Sequence, residues 1–191
     1  EAVDQTRGWF YTLHAIGILM DRGRAFNNVV CLGHILDAKG KKMSKSIGNV
    51  VNPWEMFAKH GVDVLRFWMY SINQPGDTKN FDEKTVAEVN NKVFTLLRNI
   101  VKFYKLHLSD LQPTTDNQQP ENQHVLDEWL RALTGTLVSE VTLRMDTYDL
   151  FGATRAIRDF INDFSTWYIR RSRDRFKMNN EDREAALVAT Q

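Results

Sequence analysis

Three lysines and two serines surround one methionine in the run KKMSKS, residues 41–46, with Gly40 before it and Gly48 after it. Ammonium groups spaced this way on an exposed loop suit a polyphosphate. They keep their charge in water. Lys42 and Lys45 could reach over such a polyphosphate, with Met43, Ser44 and Ser46 on the same loop. The two glycines offer hinges for a closing loop. A second cluster, Glu1, Asp4 and Gln5, has the polar atoms to bond an ammonium group or ribose hydroxyls. At Gly33 and His34 the backbone has room to approach a flat heterocycle, because glycine carries no Cβ. Each group also has a plainer use: a solvated basic turn, a helix cap at Asp4, or a residue that simply follows a strand.

The elements that must position these groups are readable in outline. Thr6 to Met20 places Trp9, Phe10, Leu13, Ile16, Gly17 and Met20 on one helical face. After the turn DRGRAFN, the short apolar run NVVCL suits a strand buried on both faces of a parallel sheet, with Cys31 a small buried residue within it. Helix then strand is most of a βαβ unit, whose ligands bind at the carboxyl ends of the strands. That edge would bring residues 1–5 and 33–46 together. NPWEMFAKHG reads as a short helix opened by Pro53 and closed by Gly61, and VDVLRFWMYSI as a second.

Beyond residue 77 every periodic segment is helical. One helix begins at Asp82 with an apolar stripe from Val86 to Tyr104, one runs from about Val125 to Met145, and one from about Leu150 to Lys177. The polar run Ser109–His124 connects the first two, and NNEDREAALVATQ starts a further element. Three long amphipathic helices imply an antiparallel bundle. The fold class expected is therefore α/β plus all-α. Residues 1–49 would be the distal part of a Rossmann-like domain, residues 50–77 a helical junction and residues 78–191 the bundle.

Composition narrows the function classes. A net charge of +1 over 191 residues confines any nucleic-acid surface to a local patch. One cysteine rules out an internal disulfide and fits a reducing compartment. The five histidines lack metal-ligand spacing, and no apolar run approaches the ~20 residues of a membrane helix. Such a patch exists between Trp167 and Lys177, where Arg170, Arg171, Arg173, Arg175 and Lys177 face one carboxylate, Asp174. Contacts from at least two of these arginines to RNA phosphates would position a nucleic acid without reading its sequence. Trp167 and Tyr168 continue the apolar stripe and are expected in the core, with Asp159, Asp163 and Glu181 as possible arginine partners.

KMSKS at 42–46, between GHILDAKGK and IGNVVNP, resembles the second signature loop of class I aminoacyl-tRNA synthetases. EAVDQTRGWFYT and WYIRRSRDRF resemble the matching segments of the isoleucyl branch, in the same order. The resemblance covers essentially the whole chain. It implies ATP-dependent activation of isoleucine to isoleucyl-adenylate, transfer to tRNA(Ile), and an anticodon-binding bundle. ATP, accompanied by Mg2+, is the expected nucleotide; the parent is expected to be cytoplasmic and monomeric, with no metal held by this stretch. Glu1 would contact the adenylate, with Asp4 and Gln5 beside it. Lys45 would bind the phosphates, assisted by Lys42, and Arg170, Arg171, Arg173 and Arg175 would meet tRNA. Many bacterial members have glycine where this chain has Ala2, which puts the backbone contact there in question. The start EAVDQ, without methionine, is expected to be internal to a longer protein. GHIL at 33–36 does not replace the family's first, His-Ile-Gly-His signature, so the stretch alone is expected to be inactive. A valyl enzyme, which shares the lysine loop, and a non-catalytic tRNA-binding helical module are the alternatives.

Overall fold

The structure, a computed structural model, describes residues 1–108, 124–178 and 181–190. The connector expected over Ser109–His124 lies outside the described residues except for His124. Two compact units divide the chain, Glu1–Ala87 with Tyr148–Phe151, and Glu88–Thr147 with Gly152–Gln191.

The first unit opens on a 3-10 turn, Val3–Arg7, followed by helix α1, Trp9–Leu19. The single helix expected from Thr6 is broken at Gly8, whose φ of −122° and ψ of −109° are not helical. Asp4 does not cap α1. The Gln5 side chain does so, its Oε1 accepting from Trp9 N at 3.0 Å. No residue of α1 is buried, and Trp9, Ile16 and Met20 of the expected stripe are exposed.

NVVCL does not form the expected strand, and Cys31 is half-buried rather than enclosed. Only Leu32 pairs, through a parallel bridge to Ala2. Val3 N donates to Leu32 O and Leu32 N donates to Glu1 O, each at 2.9 Å. A strand persists only where another backbone takes up its polar groups, and residues 1–3 do so at one position. The sheet proper is two-stranded and parallel: β1, Ile35–Leu36, pairs Ile35 with Lys79 and Leu36 with Asn80 of β2, Lys79–Asn80.

Local signals dictate the next helices. Asn52 caps α2, Pro53–His60, its side chain accepting from Trp54 N at 3.0 Å, and Gly61 ends it at a φ of 89°. Helix α3, Val62–Ser71, buries Val64, Leu65 and Trp68. The Trp68 indole donates to Thr85 Oγ1 at 2.8 Å, and its ring meets Phe81 edge-on with centroids 5.3 Å apart. Burying that ring while satisfying its N–H joins apolar and polar stabilisation in one side chain.

Helix α4, Glu83–Val89, starts on Asp82, whose Oδ1 accepts from Lys84 N at 2.9 Å. Residues Asn90–Thr95 then widen into a π-helix before α5, Leu96–Leu108. Helix α6, Val125–Asp146, is capped by His124, whose Nδ1 accepts from Leu126 N at 3.1 Å. The one long helix expected over Leu150–Lys177 is a series. It comprises α7, Leu150–Asp163, a π-helix at Phe164–Ile169, the single turn α8, Arg170–Ser172, and a 3-10 turn, Arg175–Lys177. Each π segment winds more residues into a turn than a 3.6-residue stripe allows for. Helix α9, Glu181–Thr190, follows. The second unit's core gathers Ile100, Leu130, Tyr168, Ile169, Phe176, Ala186 and Leu187, with Phe103, Trp129 and Phe160 among those packed around it.

Candidate functional site

The first unit builds its candidate site along one backbone path. The Leu32 pairing holds Glu1 and Ala2 beside the residue that precedes Gly33. Glu1 and Asp4 are exposed and Gln5 is half-buried, with the Gln5 amide donating to Asp4 Oδ2 at 3.1 Å. Gly33 N donates to Pro75 O at 2.8 Å. A Cβ on Gly33 would lie 2.2 Å from Asp77 O, so here the glycine admits the chain's own backbone. Lys79 fixes that neighbouring turn: its buried ammonium donates to Gln74 O at 2.9 Å and Asp77 O at 3.4 Å. Burial pushes the Lys79 amine down, against the raising effect of Asp77. His34 is half-buried, and its carbonyl accepts from Lys79 N at 2.9 Å.

Past β1 the chain turns on itself. Asp37 N donates to Lys41 O at 2.9 Å, and Lys42 forms an antiparallel bridge with Leu36. Gly40 takes a φ of 75° in this turn, and Gly48 takes 74° at the far end of the lysine loop, a region that favours glycine. Asp37 Oδ1 accepts from Lys39 N at 2.9 Å and Lys41 N at 2.8 Å, while Oδ2 accepts from Asn49 Nδ2 at 2.9 Å. The Asn49 amide, ahead of the Lys41 N–H, holds the Asp37 carboxyl below its ordinary value. Asn49 also accepts from Ser44 N at 2.8 Å and donates to Lys42 O at 3.2 Å. The loop is thereby braced across its base while Lys42 and Lys45 stay exposed. Met43 and Ser44 are half-buried, and the hydroxyls of Ser44 and Ser46 stand 2.7 Å apart. Such a loop presents two exposed cations from a braced backbone, an arrangement suited to an anion. Among the described residues no group of three or more His, Cys, Asp or Glu side chains is arranged to hold a metal ion.

Of the four arginines expected to meet RNA, Arg170, Arg171 and Arg173 are exposed. Arg175 is not. It is only 6% exposed, and its two terminal nitrogens donate to Asp127 Oδ1 and Oδ2, each at 2.8 Å. Its Nε donates to Asp182 Oδ1 at 2.8 Å. A buried guanidinium needs such partners, so Arg175, expected to face tRNA, serves the interior instead. Burial and the Asp127 carboxylate both push the Tyr168 hydroxyl up; it donates to Asp127 Oδ1 at 2.7 Å. Trp167, expected in the core, is 44% exposed with the Arg171 guanidinium 3.7 Å from its ring centre, while Tyr168 alone turns inward. Asp37, Asn49, Lys79 and Asp127 had no assigned role in the sequence. Asn49 had a signal, since it directly follows Gly48 at the end of the lysine loop, whereas Asp127 lies 48 residues from the arginine it holds.

Residues 1–82 match the family model described as tRNA synthetases class I (I, L, M and V), and residues 127–191 match the anticodon-binding domain of tRNA ligase. An isoleucine–tRNA ligase from Deinococcus radiodurans is 42% identical over the whole of this chain, and one from Thermus thermophilus is 42% identical over 98% of it. The chain spans 18% of the length of each of these relatives. Among solved structures, a methionyl-tRNA synthetase from Mycobacterium tuberculosis in complex with methionyl-adenylate aligns with a TM-score of 0.71 at 24% identity. That alignment covers 98% of this chain and 36% of the other. A LeuRS–tRNA–LeuAMS ternary complex from Agrobacterium radiobacter K84 aligns at 0.67 and 16% identity, over 95% of this chain and 23% of its own. These two likenesses concern the fold. Two family matches in order, together with whole-chain identity to such ligases, establish that the chain belongs to the class I tRNA synthetases.

Proposed function

We propose that the chain is part of an isoleucine–tRNA ligase that activates isoleucine with ATP and transfers it to tRNA(Ile). The observation that carries this is the 42% identity to isoleucine–tRNA ligases over the full chain, with both family models in register. In this reading the isoleucine carboxylate attacks the α-phosphate and pyrophosphate leaves. Lys45, assisted by Lys42, meets the charge that builds on the leaving group, and Ser44 and Ser46 add hydroxyl donors. Mg2+ enters with the nucleotide as part of the substrate. Gly33 and His34 border the nucleotide, and Glu1, Asp4 and Gln5 lie toward the ribose and amino-acid end of the adenylate. Residues 78–191 serve as an antiparallel anticodon-binding bundle, preceded by a junction at 50–77. Arg170, Arg171 and Arg173, exposed on one segment, contact tRNA phosphates.

The test is aminoacylation by the full-length polypeptide that carries this chain. Isoleucine on tRNA(Ile) is expected as the preferred pair. Preference for valine and tRNA(Val), or no aminoacyl transfer at all, would overturn the reading.

A further inference from the structure

We infer that Asn49, working with Asp37, is a positioning residue for the phosphate-facing lysines, an inference that rests on the function proposed above. The Asn49 amide ties three parts of the chain at once. It accepts from Ser44 N at 2.8 Å, donates to Lys42 O at 3.2 Å and donates to Asp37 Oδ2 at 2.9 Å. Two of those contacts fall on the backbone of Lys42 and Ser44, the residues flanking Met43 in the lysine run. Ser44 is also the carbonyl that receives Ile47 N at 3.2 Å and Gly48 N at 3.1 Å, closing the turn that carries Lys45. The third contact anchors the loop to a carboxylate that is itself committed. Asp37 Oδ1 holds the backbone N–H groups of Lys39 and Lys41.

The lysines themselves are exposed on flexible stems, so the backbone beneath sets the points from which their ammonium groups reach. An amide side chain is needed there because the site requires an acceptor toward Ser44 N and donors toward a carboxylate and a carbonyl. Aspartate supplies only the first, and alanine supplies neither. Asn49 acts through the lysines and touches no substrate. Its loss is therefore expected to weaken transition-state contact more than ground-state binding, since small misplacements of catalytic groups are costly.

The experiment is isoleucine-dependent ATP–pyrophosphate exchange in the full-length polypeptide, with adenylate burst amplitude measured on the same samples to count active sites. Lys45→Ala is the reference that tests the function itself. Asn49→Ala is expected to lower kcat roughly tenfold to a hundredfold, with KM for ATP changed less than about threefold. Asn49→Asp, which faces Asp37 with a like charge, is expected to be worse still. The exchanged pair Asp37→Asn with Asn49→Asp restores a donor–acceptor match across the brace, and is expected to recover several-fold over Asn49→Asp alone. The inference is overturned if Asn49→Ala matches the parent, if the exchanged pair recovers nothing, or if the rate falls only in proportion to the burst. If Lys45→Ala also leaves exchange intact, the proposed function fails; if it abolishes exchange while Asn49→Ala does not, only the positioning role fails.

Discussion

The two units treat positive charge in opposite ways. In the first, Lys42 and Lys45 stand exposed on a loop braced by an aspartate and an asparagine, and among the described residues no carboxylate pairs with them. In the second, Arg175 is drawn inside and met by Asp127 and Asp182, with Tyr168 closing the network. The chain shows, then, that a basic motif says little by itself. What surrounds the cation decides whether it faces a ligand or holds a core. The difference extends to Arg171, four residues before Arg175 in the sequence yet exposed and laid over Trp167. A stacked surface pair of this kind contributes about 0.5–1 kcal/mol, far less than an interior ion pair loses when one partner is removed.

That contrast is broken most severely at Arg175. Replacing it by methionine leaves Asp127, 1% exposed, without its bidentate partner. A loss of about 3–5 kcal/mol is expected from an uncompensated buried charge, read as a drop in the chemical-denaturation midpoint. Pairing that change with Asp127→Leu should return much of the loss, because the buried carboxylate goes with its partner and Asp182, part-exposed, still reaches water. In the first unit the corresponding break is Gly33→Ala. Its Cβ would stand 2.2 Å from Asp77 O and 2.8 Å from Gly76 O. Backbone must shift to admit it, at a cost of about 1–3 kcal/mol, seen as a lower unfolding midpoint and faster exchange of the Gly33 amide proton.

The mildest probe is acid. Hydrogen bonding from Arg175, against the opposing effect of burial, holds the Asp182 carboxyl below the usual carboxylate range, and Asn49 does likewise for Asp37. A carboxyl depressed in the folded state contributes stability that is complete above its unfolded value and fades as pH falls through the folded one. Stability from these groups should therefore hold steady from neutral pH to about pH 4 and decline below it. Asp182→Asn should flatten that acid limb in a denaturation series.

What could be read from sequence follows the same division between local and distant causes. The ends of α2 were legible because Asn52, Pro53 and Gly61 act within one turn of themselves. The lysine loop was legible as a motif, and Gly40 and Gly48 do take the backbone angles that suit glycine. NVVCL misled because strand formation depends on a partner backbone, which here meets only Leu32. Arg175 misled because its partner Asp127 is remote in the chain. Trp167 and Tyr168 could not be told apart by a 3.6-residue period, since the π-helix at Phe164–Ile169 alters the winding where they sit.

The central claim is that the exposed lysine loop of the first unit meets phosphate during amino-acid activation. Isoleucine-dependent ATP–pyrophosphate exchange, comparing Lys45→Ala with the parent in the full-length polypeptide, tests it most directly. The account predicts a fall of roughly 10²–10³-fold in kcat, with the unfolding midpoint unchanged because Lys45 is exposed. Exchange within about twofold of the parent would contradict it.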